Sequence, residues 1–192
     1  MPFRLVGGTN LSLRFGHRVS DDIDLFTDAP YGSLAFDQLE SRLSQLFPYF
    51  DSPDTSEIVG FGRMYYVGLN KENEVKLDLM YTDTFFDEPQ ILRGIRFASV
   101  EQIAAMKIQA IETGGRKKDW WDIDLLLEHY SLSELLAFHA RWQPYTHDEE
   151  ALLEKLTDFS EVNDYPDPRC LRGKDWNRIK LNIIRHVTSV KL

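Results

Sequence analysis

Three aspartates occur in two short segments at spacings that suit a divalent cation. Asp22 and Asp24 flank Ile23 at the start of a predicted strand, and Asp78 lies in a second predicted strand, EVKLDLMY. Because alternate residues of a strand share one face, Asp22 and Asp24 project together. Neighbouring carboxylates repel each other, and a bound cation relieves that repulsion. Mg²⁺ uses one or two carboxylates and completes its shell with substrate phosphates.

Each aspartate also has a simpler interpretation. Asp22 and Asp24 are compatible with a surface turn of clustered acids, and Asp78 with a solvent-facing strand position. A glycine pair, an Asp-x-Asp strand and a later strand aspartate in this order form a more specific set. Three carboxylates can hold two metal ions and activate a 3′-hydroxyl for attack on an α-phosphate. We therefore predict that the three aspartates are catalytic and bind metal.

The glycine pair Gly7-Gly8 follows a short apolar segment and precedes a predicted helix over 10–15. Glycine permits a sharp turn and a close approach of the backbone to a ligand. The amide groups at the following helix start could then face a phosphate. Arg14 and Arg18 flank this segment and could contact phosphates as well. An ordinary tight turn is the alternative interpretation of the glycines.

Two charged residues of the predicted helices fall on or beside apolar stripes. Lys107 lies within the stripe of its helix, so an inward ammonium would need an anion such as a triphosphate. Lys107 could instead reach the edge of the stripe and extend into solvent. Asp119 borders the stripe of the next helix, where a first-turn acid is also stabilised by the helix dipole. The basic run Arg116-Lys117-Lys118 could contact phosphates or lie in a surface loop.

The periodicity of apolar residues predicts an α+β fold: a mixed β-sheet with flanking helices, followed by a helical carboxy-terminal half. We predict a sheet-containing core over 1–98 and a helical domain over 99–192 that completes an active-site cleft. A capping box, Ser99-Val100-Glu101-Gln102, marks the change. The predicted strands cover 3–6, 23–26, 57–69 and 74–81. The predicted helices cover 10–15, 34–47, 99–112, 117–130, 132–142, 147–157 and 175–190.

Composition and charge narrow the classes of function. The sequence is 43% hydrophobic with no apolar run long enough to cross a membrane, and it has a single cysteine, which predicts a cytoplasmic protein. The net charge of −9 argues against a surface coated in basic residues. However, 147–167 contains eight acids and one lysine, whereas 169–191 contains seven Lys/Arg and one acid. These stretches could pair with each other or with a partner, or the basic one could hold a polyanion.

Three segments together resemble the AbiEii/AbiGii-type nucleotidyltransferase toxin family. They are GGTNLSLRFGHRVSDDIDLF, KLDLM and SVEQIAAMKIQAIETGGRKKDWWDIDLLLE, and the similarity covers roughly 3–130. The resemblance implies a DNA polymerase β-like nucleotidyltransferase fold. It also implies the role of a toxin in a bacterial type IV toxin–antitoxin or abortive-infection system, with an antitoxin encoded nearby as a possible partner.

The resemblance also implies a reaction and a set of site residues. The reaction would transfer NMP from a nucleoside triphosphate, with Mg²⁺ or Mn²⁺, to the 3′ end of a tRNA. Asp22, Asp24 and Asp78 match the metal-binding acids, Lys107 the nucleotide-contacting lysine and Asp119 a later active-site acid. Residues matching the phosphate site are Gly8, Thr9 and Ser20. Two alternatives remain. The acceptor could be a protein or a small molecule, or the chain could be a non-catalytic relative that binds NTP or a partner protein.

Overall fold

A computed structural model describes residues 2–53 and 61–191. Its strands are β1 (Arg4–Leu5), β2 (Asp22–Thr27), β3 (Tyr49–Asp51), β4 (Gly62–Gly68), β5 (Glu74–Tyr81), β6 (Gln90–Leu92) and β7 (Ile95–Phe97). Its helices are α1 (Gly7–Phe15), α2 (Phe36–Leu46), α3 (Val100–Glu112), α4 (Lys117–Leu126), α5 (Leu132–Trp142), α6 (Glu149–Thr157) and α7 (Trp176–Val190). The mixed sheet followed by helices confirms the predicted α+β class.

The chain forms two compact units. The sheet unit comprises Met1–Thr9 and Asp21–Ala98, and the helical unit comprises Asn10–Ser20 and Ser99–Leu192. The segment 10–20 thus groups with residues beyond 98.

In the described residues, no helix is both long and apolar enough to span a membrane.

The sheet unit contains seven strands in the order β3-β4-β5-β2-β1-β7-β6. The pairs β2–β5 and β1–β7 are parallel, and the other neighbouring pairs are antiparallel. Alternation decides which side chains form the core. Tyr65 and Val67 of β4 and Leu77 and Leu79 of β5 are buried together. The apolar residues of α2, spaced at helical intervals, pack against this cluster: Phe36, Leu39 and Leu43.

The helical unit is built on apolar stripes and on polar caps. Ser99 accepts a hydrogen bond from the Gln102 amide at 3.3 Å and so begins α3. A complete capping box of Ser131 and Glu134 begins α5. The buried residues of α7 recur every three or four positions: Trp176, Ile179, Ile183 and Val187.

Several element boundaries differ from the predictions for local reasons. The helix predicted over 117–130 ends at Leu126, because Glu128 and His129 then donate to carbonyls only three residues back. The helix predicted from 147 begins at Glu149, since the Asp148 side chain caps it. The sequence did not predict β3, β6 or β7, which have three residues each. Residues 57–60 of the predicted hairpin lie outside the described part of the chain.

His139 is the one fully buried histidine of the described helices and lies on α5. Its Nδ1 is 2.9 Å from Nδ1 of His147, and its Nε2 is 3.0 Å from Oε1 of Gln109. Burial and the neighbouring His147 lower the pKa of His139 from 6.5 to about 4. The folded state therefore holds this imidazole neutral at a pH where the unfolded chain protonates it.

We expect the stability of the folded chain to fall as the pH is lowered from about 6.5 to about 4. The unfolded state binds a proton at His139 in this window and the folded state does not, which costs at most about 3 kcal/mol. Urea unfolding at pH 7.5 and pH 5 measures the difference. His139→Gln should reduce this pH dependence, whereas His186→Gln on α7 should leave it in place. Equal pH dependence in the wild type and in His139→Gln would contradict this account.

Candidate active site

The register of β2 against β5 places Asp24 directly beside Asp78. The two strands are parallel, with Asp24 opposite Asp78 and Asp22 opposite Lys76. Side chains that are paired in register, or two residues apart along a strand, share a face. The three predicted metal-binding aspartates therefore lie on one face of the sheet. The intervening Ile23 packs on the hydrophobic core.

The two carboxylate oxygens of Asp78 differ in their hydrogen bonding. Its Oδ2 is 2.5 Å from Nζ of Lys76. Its Oδ1 is buried and has no hydrogen-bond partner among the described residues. A buried carboxylate oxygen without a donor is costly, and a cation or a ligand donor would relieve that cost.

The acids of this face suit a cation held partly by substrate. No group of three or more acidic, histidine or cysteine side chains in the described residues is arranged as a complete metal site. The neighbouring carboxylates of Asp24 and Asp78 nevertheless match the one or two that Mg²⁺ takes from protein when phosphates supply the rest. Metal binding by Asp22, Asp24 and Asp78 therefore stays a prediction, which the chemistry of this pair suits.

The start of α1 lies against the Asp24 carboxylate. Gly7 has φ +66°, and a Cβ at this position would collide with Asp24 Oδ2 and lie 3.1 Å from its Cγ. The Val6 amide donates to the Asp24 carbonyl at 2.9 Å, and the Thr9 hydroxyl donates to the Asp22 carbonyl. The glycine pair is therefore the first turn of the helix, which was predicted to begin only at Asn10. Glycine allows this left-handed backbone and close contact.

We expect Gly7→Ala to perturb the site beyond its effect on the backbone. Gly16 is a matched control, because it has φ +59° but open space where a Cβ would point. Gly16→Ala should cost about 1–2 kcal/mol of backbone strain alone. Gly7→Ala should cost more and weaken nucleotide binding, because it must also displace Asp24. Chemical denaturation and NTP titration measure the two effects. If the two variants behaved alike, the proposed contact would not matter.

Lys107, Asp119 and Asp122 form a buried ion cluster in the helical unit. The Lys107 ammonium is 2.7 Å from Asp119 Oδ1 and 2.7 Å from Asp122 Oδ2. Arg18 donates to both oxygens of Asp122, at 2.7 and 2.8 Å. His17 Nε2 is 2.7 Å from Asp122 Oδ1. All five side chains are almost completely buried.

The charges of this cluster hold one another in the ionised form. Burial works to lower the pKa of Lys107, but the carboxylates of Asp122 and Asp119 outweigh it and raise that pKa well above its ordinary value. Burial works to raise the pKa of Asp122, but Lys107, His17 and Arg18 hold it well below its ordinary value. Two cations therefore balance two carboxylates away from water.

The cluster changes the interpretation of two predicted phosphate contacts. The anions that face the inward Lys107 belong to the chain itself. The Arg18 guanidinium, predicted to contact phosphate, is buried in a two-pronged contact with Asp122. Asp119 also accepts from the Arg116 amide at 2.9 Å, so it caps α4 as its first-turn position allows.

The remaining predicted residues have varied surroundings. Arg14 Nε donates to Asn10 Oδ1 at 2.8 Å. Lys117 pairs with Asp167 at 2.9 Å rather than lying in an unpaired loop. Gly8 is buried in α1, and Ser20 is half-buried just before β2.

The residues predicted from the sequence did not include His17 or Asp122. A signal for Asp122 was present, because this acid lies among the apolar residues Trp120, Trp121 and Ile123 on a helix, and a buried charge requires a partner. For His17, no such pattern exists in the sequence.

We expect Lys107→Met to destabilise the chain by about 3–5 kcal/mol, because two buried carboxylates lose a shared cation. Lys117→Met is a matched control, since its partner Asp167 is 51% exposed and recovers hydration. That control should cost no more than about 1 kcal/mol. Urea unfolding compares the variants, and adding Asp119→Asn to Lys107→Met should recover part of the loss. Comparable losses in the two single variants would rule out a special role for the cluster.

Comparisons with known proteins agree with the fold. The family model described as nucleotidyl transferase AbiEii toxin, type IV TA system, matches residues 1–189. An uncharacterised protein of Aquifex aeolicus (strain VF5) is 33% identical over 133 residues, which are 67% of this chain and 59% of that protein. The matched part of the chain thus spans less than two thirds of this curated relative.

Solved structures show the same fold. MenT4, a nucleotidyltransferase toxin of Mycobacterium tuberculosis H37Rv, has a TM-score of 0.63 at 12% identity, covering 98% of this chain and 75% of that one. JHP933 from Helicobacter pylori has a TM-score of 0.58 at 21% identity, covering 99% and 84%. At these identities the likeness shows the fold. With the family match over nearly its whole length, the chain belongs to the AbiEii nucleotidyltransferase toxin family of type IV toxin–antitoxin systems.

Proposed function

We propose that this chain transfers a nucleoside monophosphate from an NTP to the 3′ end of a tRNA and acts in the cytoplasm as the toxin of a type IV toxin–antitoxin pair. The observation that carries the proposal is the in-register pair Asp24–Asp78, with Asp22 on the same face and the α1 start against Asp24. Family membership supports NTP as the donor and an antitoxin as a partner.

Asp22, Asp24 and Asp78 would hold Mg²⁺ or Mn²⁺. When bound, the cation supplies neutralisation of phosphate charge and activation of the attacking hydroxyl. The amide groups of the first α1 turn, at Gly7, Gly8 and Thr9, supply a positive helix terminus that suits a triphosphate.

In the reaction, the acceptor oxygen forms a bond to the α-phosphorus and the bond to pyrophosphate breaks. The hydroxyl proton passes to one of the carboxylates of the aspartate group. Both the backbone and the side chain of Asp24 are held in position for the reaction. The Val6 amide donates to the Asp24 carbonyl, and Gly7 contacts the Asp24 carboxylate. Such fixed positioning lowers the entropic part of the barrier.

We expect Asp24→Ala to lower nucleotide transfer at least about a hundredfold, because loss of a direct ligand should exceed the known effect of losing an outer-shell partner. Asp37→Ala on α2 is the control, since that carboxylate is 96% exposed. The assay incubates tRNA and Mg²⁺ with each labelled NTP in turn.

The assay also distinguishes the acceptors. Label in RNA supports the proposal, and label in a protein of a cell extract would replace tRNA by a protein acceptor. Label in a small metabolite would assign that class instead. If folded protein transfers NMP from none of the four NTPs to any acceptor, the chain is a non-catalytic relative and the proposal is wrong.

A further inference from the structure

The exposed face of α7 carries two arginines for which the described residues offer no ion-pair partner. Arg178 and Arg185 are exposed, and neither has an ion-pair partner within the described ranges 2–53 and 61–191. Asp175 caps the helix through its contact with the Arg178 amide, at 2.9 Å, and α7 itself contains no acidic residue. This face is strongly cationic in a chain whose net charge is −9.

The basic stretch 169–191 does not pair with the acidic stretch 147–167 in the described structure. Its ion pairs reach α4 and the residues after it instead. Lys174 contacts Asp124 at 2.5 Å and Glu128 at 2.6 Å, and Arg172 contacts Glu128 at 2.8 Å. Mutual pairing of these stretches is therefore wrong, whereas pairing with a partner or binding of a polyanion stays open.

A cleft of about 400 Å³ lies beside this helix. Its polar lining is formed by Asp124, Glu128, Lys174, Arg178, Asn182 and Arg185. Lys174 and Arg172 offset the charges of Asp124 and Glu128, and Asn182 donates to Asp124 at 2.7 Å. Burial works to raise the pKa of Glu128, but Lys174 and Arg172 keep it below its ordinary value, so this acid stays ionised and paired. The two arginines remain as net positive charge at the cleft.

The spacing along the helix aligns the arginines on one face. Arg178 and Arg185 are seven residues apart, two turns and roughly 10 Å of helix rise. Leu181 lies between them and is 56% exposed. The opposite face of α7 is buried through Trp176, Ile179 and Ile183. The helix is thus fixed by one face while the other presents two guanidinium groups around an apolar side chain.

We propose that this face, defined by Arg178, Leu181 and Arg185, binds the sugar–phosphate backbone of the acceptor RNA. Guanidinium groups match phosphate in a two-pronged geometry, and arginine and exposed apolar side chains also pack on unstacked bases. The inference rests on the proposed RNA acceptor and adds where the helical unit contacts it. The cleft next to the arginines has room for part of a nucleotide, which a flat basic surface would not offer.

The test measures binding of labelled tRNA to the full chain by fluorescence anisotropy at 50 and 200 mM salt. The variant is Arg178→Gln/Arg185→Gln. The control is Arg42→Gln/Lys71→Gln, which removes the same charge from exposed positions of the sheet unit. The α7 variant should bind tRNA at least tenfold more weakly and reduce the slope of log affinity against log salt by about two. The control should bind like the wild type, and NTP binding should be unchanged in both.

The possible results separate this surface from the proposed reaction. If the α7 variant binds and labels tRNA as the wild type does, the surface assignment is wrong and the nucleotidyl transfer proposal stands. If the control weakens binding equally, only net charge matters and the assignment is again wrong. If the wild type labels a protein but neither binds nor labels tRNA, then tRNA is not the acceptor. The assignment of this surface to RNA binding is then wrong as well. A wild type that labels tRNA, together with an α7 variant that binds and labels tRNA weakly but binds NTP normally, would support both proposals.

Discussion

The parallel pairing of β2 with β5 determines both faces of the sheet at once. With Asp24 opposite Asp78, the preceding residues Ile23 and Leu77 are also opposite each other and must face the core. A slip of one residue would bury carboxylates and expose leucine, so hydrophobic burial of one face enforces the register of the other. The same register allows Gly7 to contact Asp24, because β1 lies antiparallel to β2 immediately before the glycine. The candidate site is therefore a consequence of core packing.

The helical unit depends on a different constraint, which is the neutrality of a buried cluster. Arg18 precedes β2 in the chain, whereas Lys107 and Asp122 lie on α3 and α4, and their contacts join these three segments. Charges away from water are tolerated because each has partners of opposite sign at hydrogen-bond distance. The family resemblance matches Lys107 to a nucleotide-contacting lysine. Its ammonium is already shared by two carboxylates, so a phosphate contact would require it to exchange partners.

The sequence predicted the features that follow from local pattern. Alternation alone predicted that Asp22 and Asp24 project together, and the family was evident from three segments. The pairing that sets Asp78 beside Asp24 required the structure. The pairing partner of Lys107 could not be predicted, because it depends on how α3 packs on α4 rather than on either stripe. Short strands such as β6 were missed since three residues show no periodicity. The ion pairs of the basic stretch 169–191 also required the structure, because composition alone does not reveal which acidic residues lie beside it.

We propose that Asp24 and Asp78 together bind the cation that accompanies the triphosphate. The most direct test is a crystal structure of the chain soaked with Mn²⁺ and a non-hydrolysable NTP analogue, with the metal located by anomalous scattering. We expect a manganese ion coordinated by carboxylate oxygens of Asp24 and Asp78 and by the triphosphate, with the phosphates facing the first turn of α1. Manganese and nucleotide bound elsewhere, with these two carboxylates not coordinating, would contradict it.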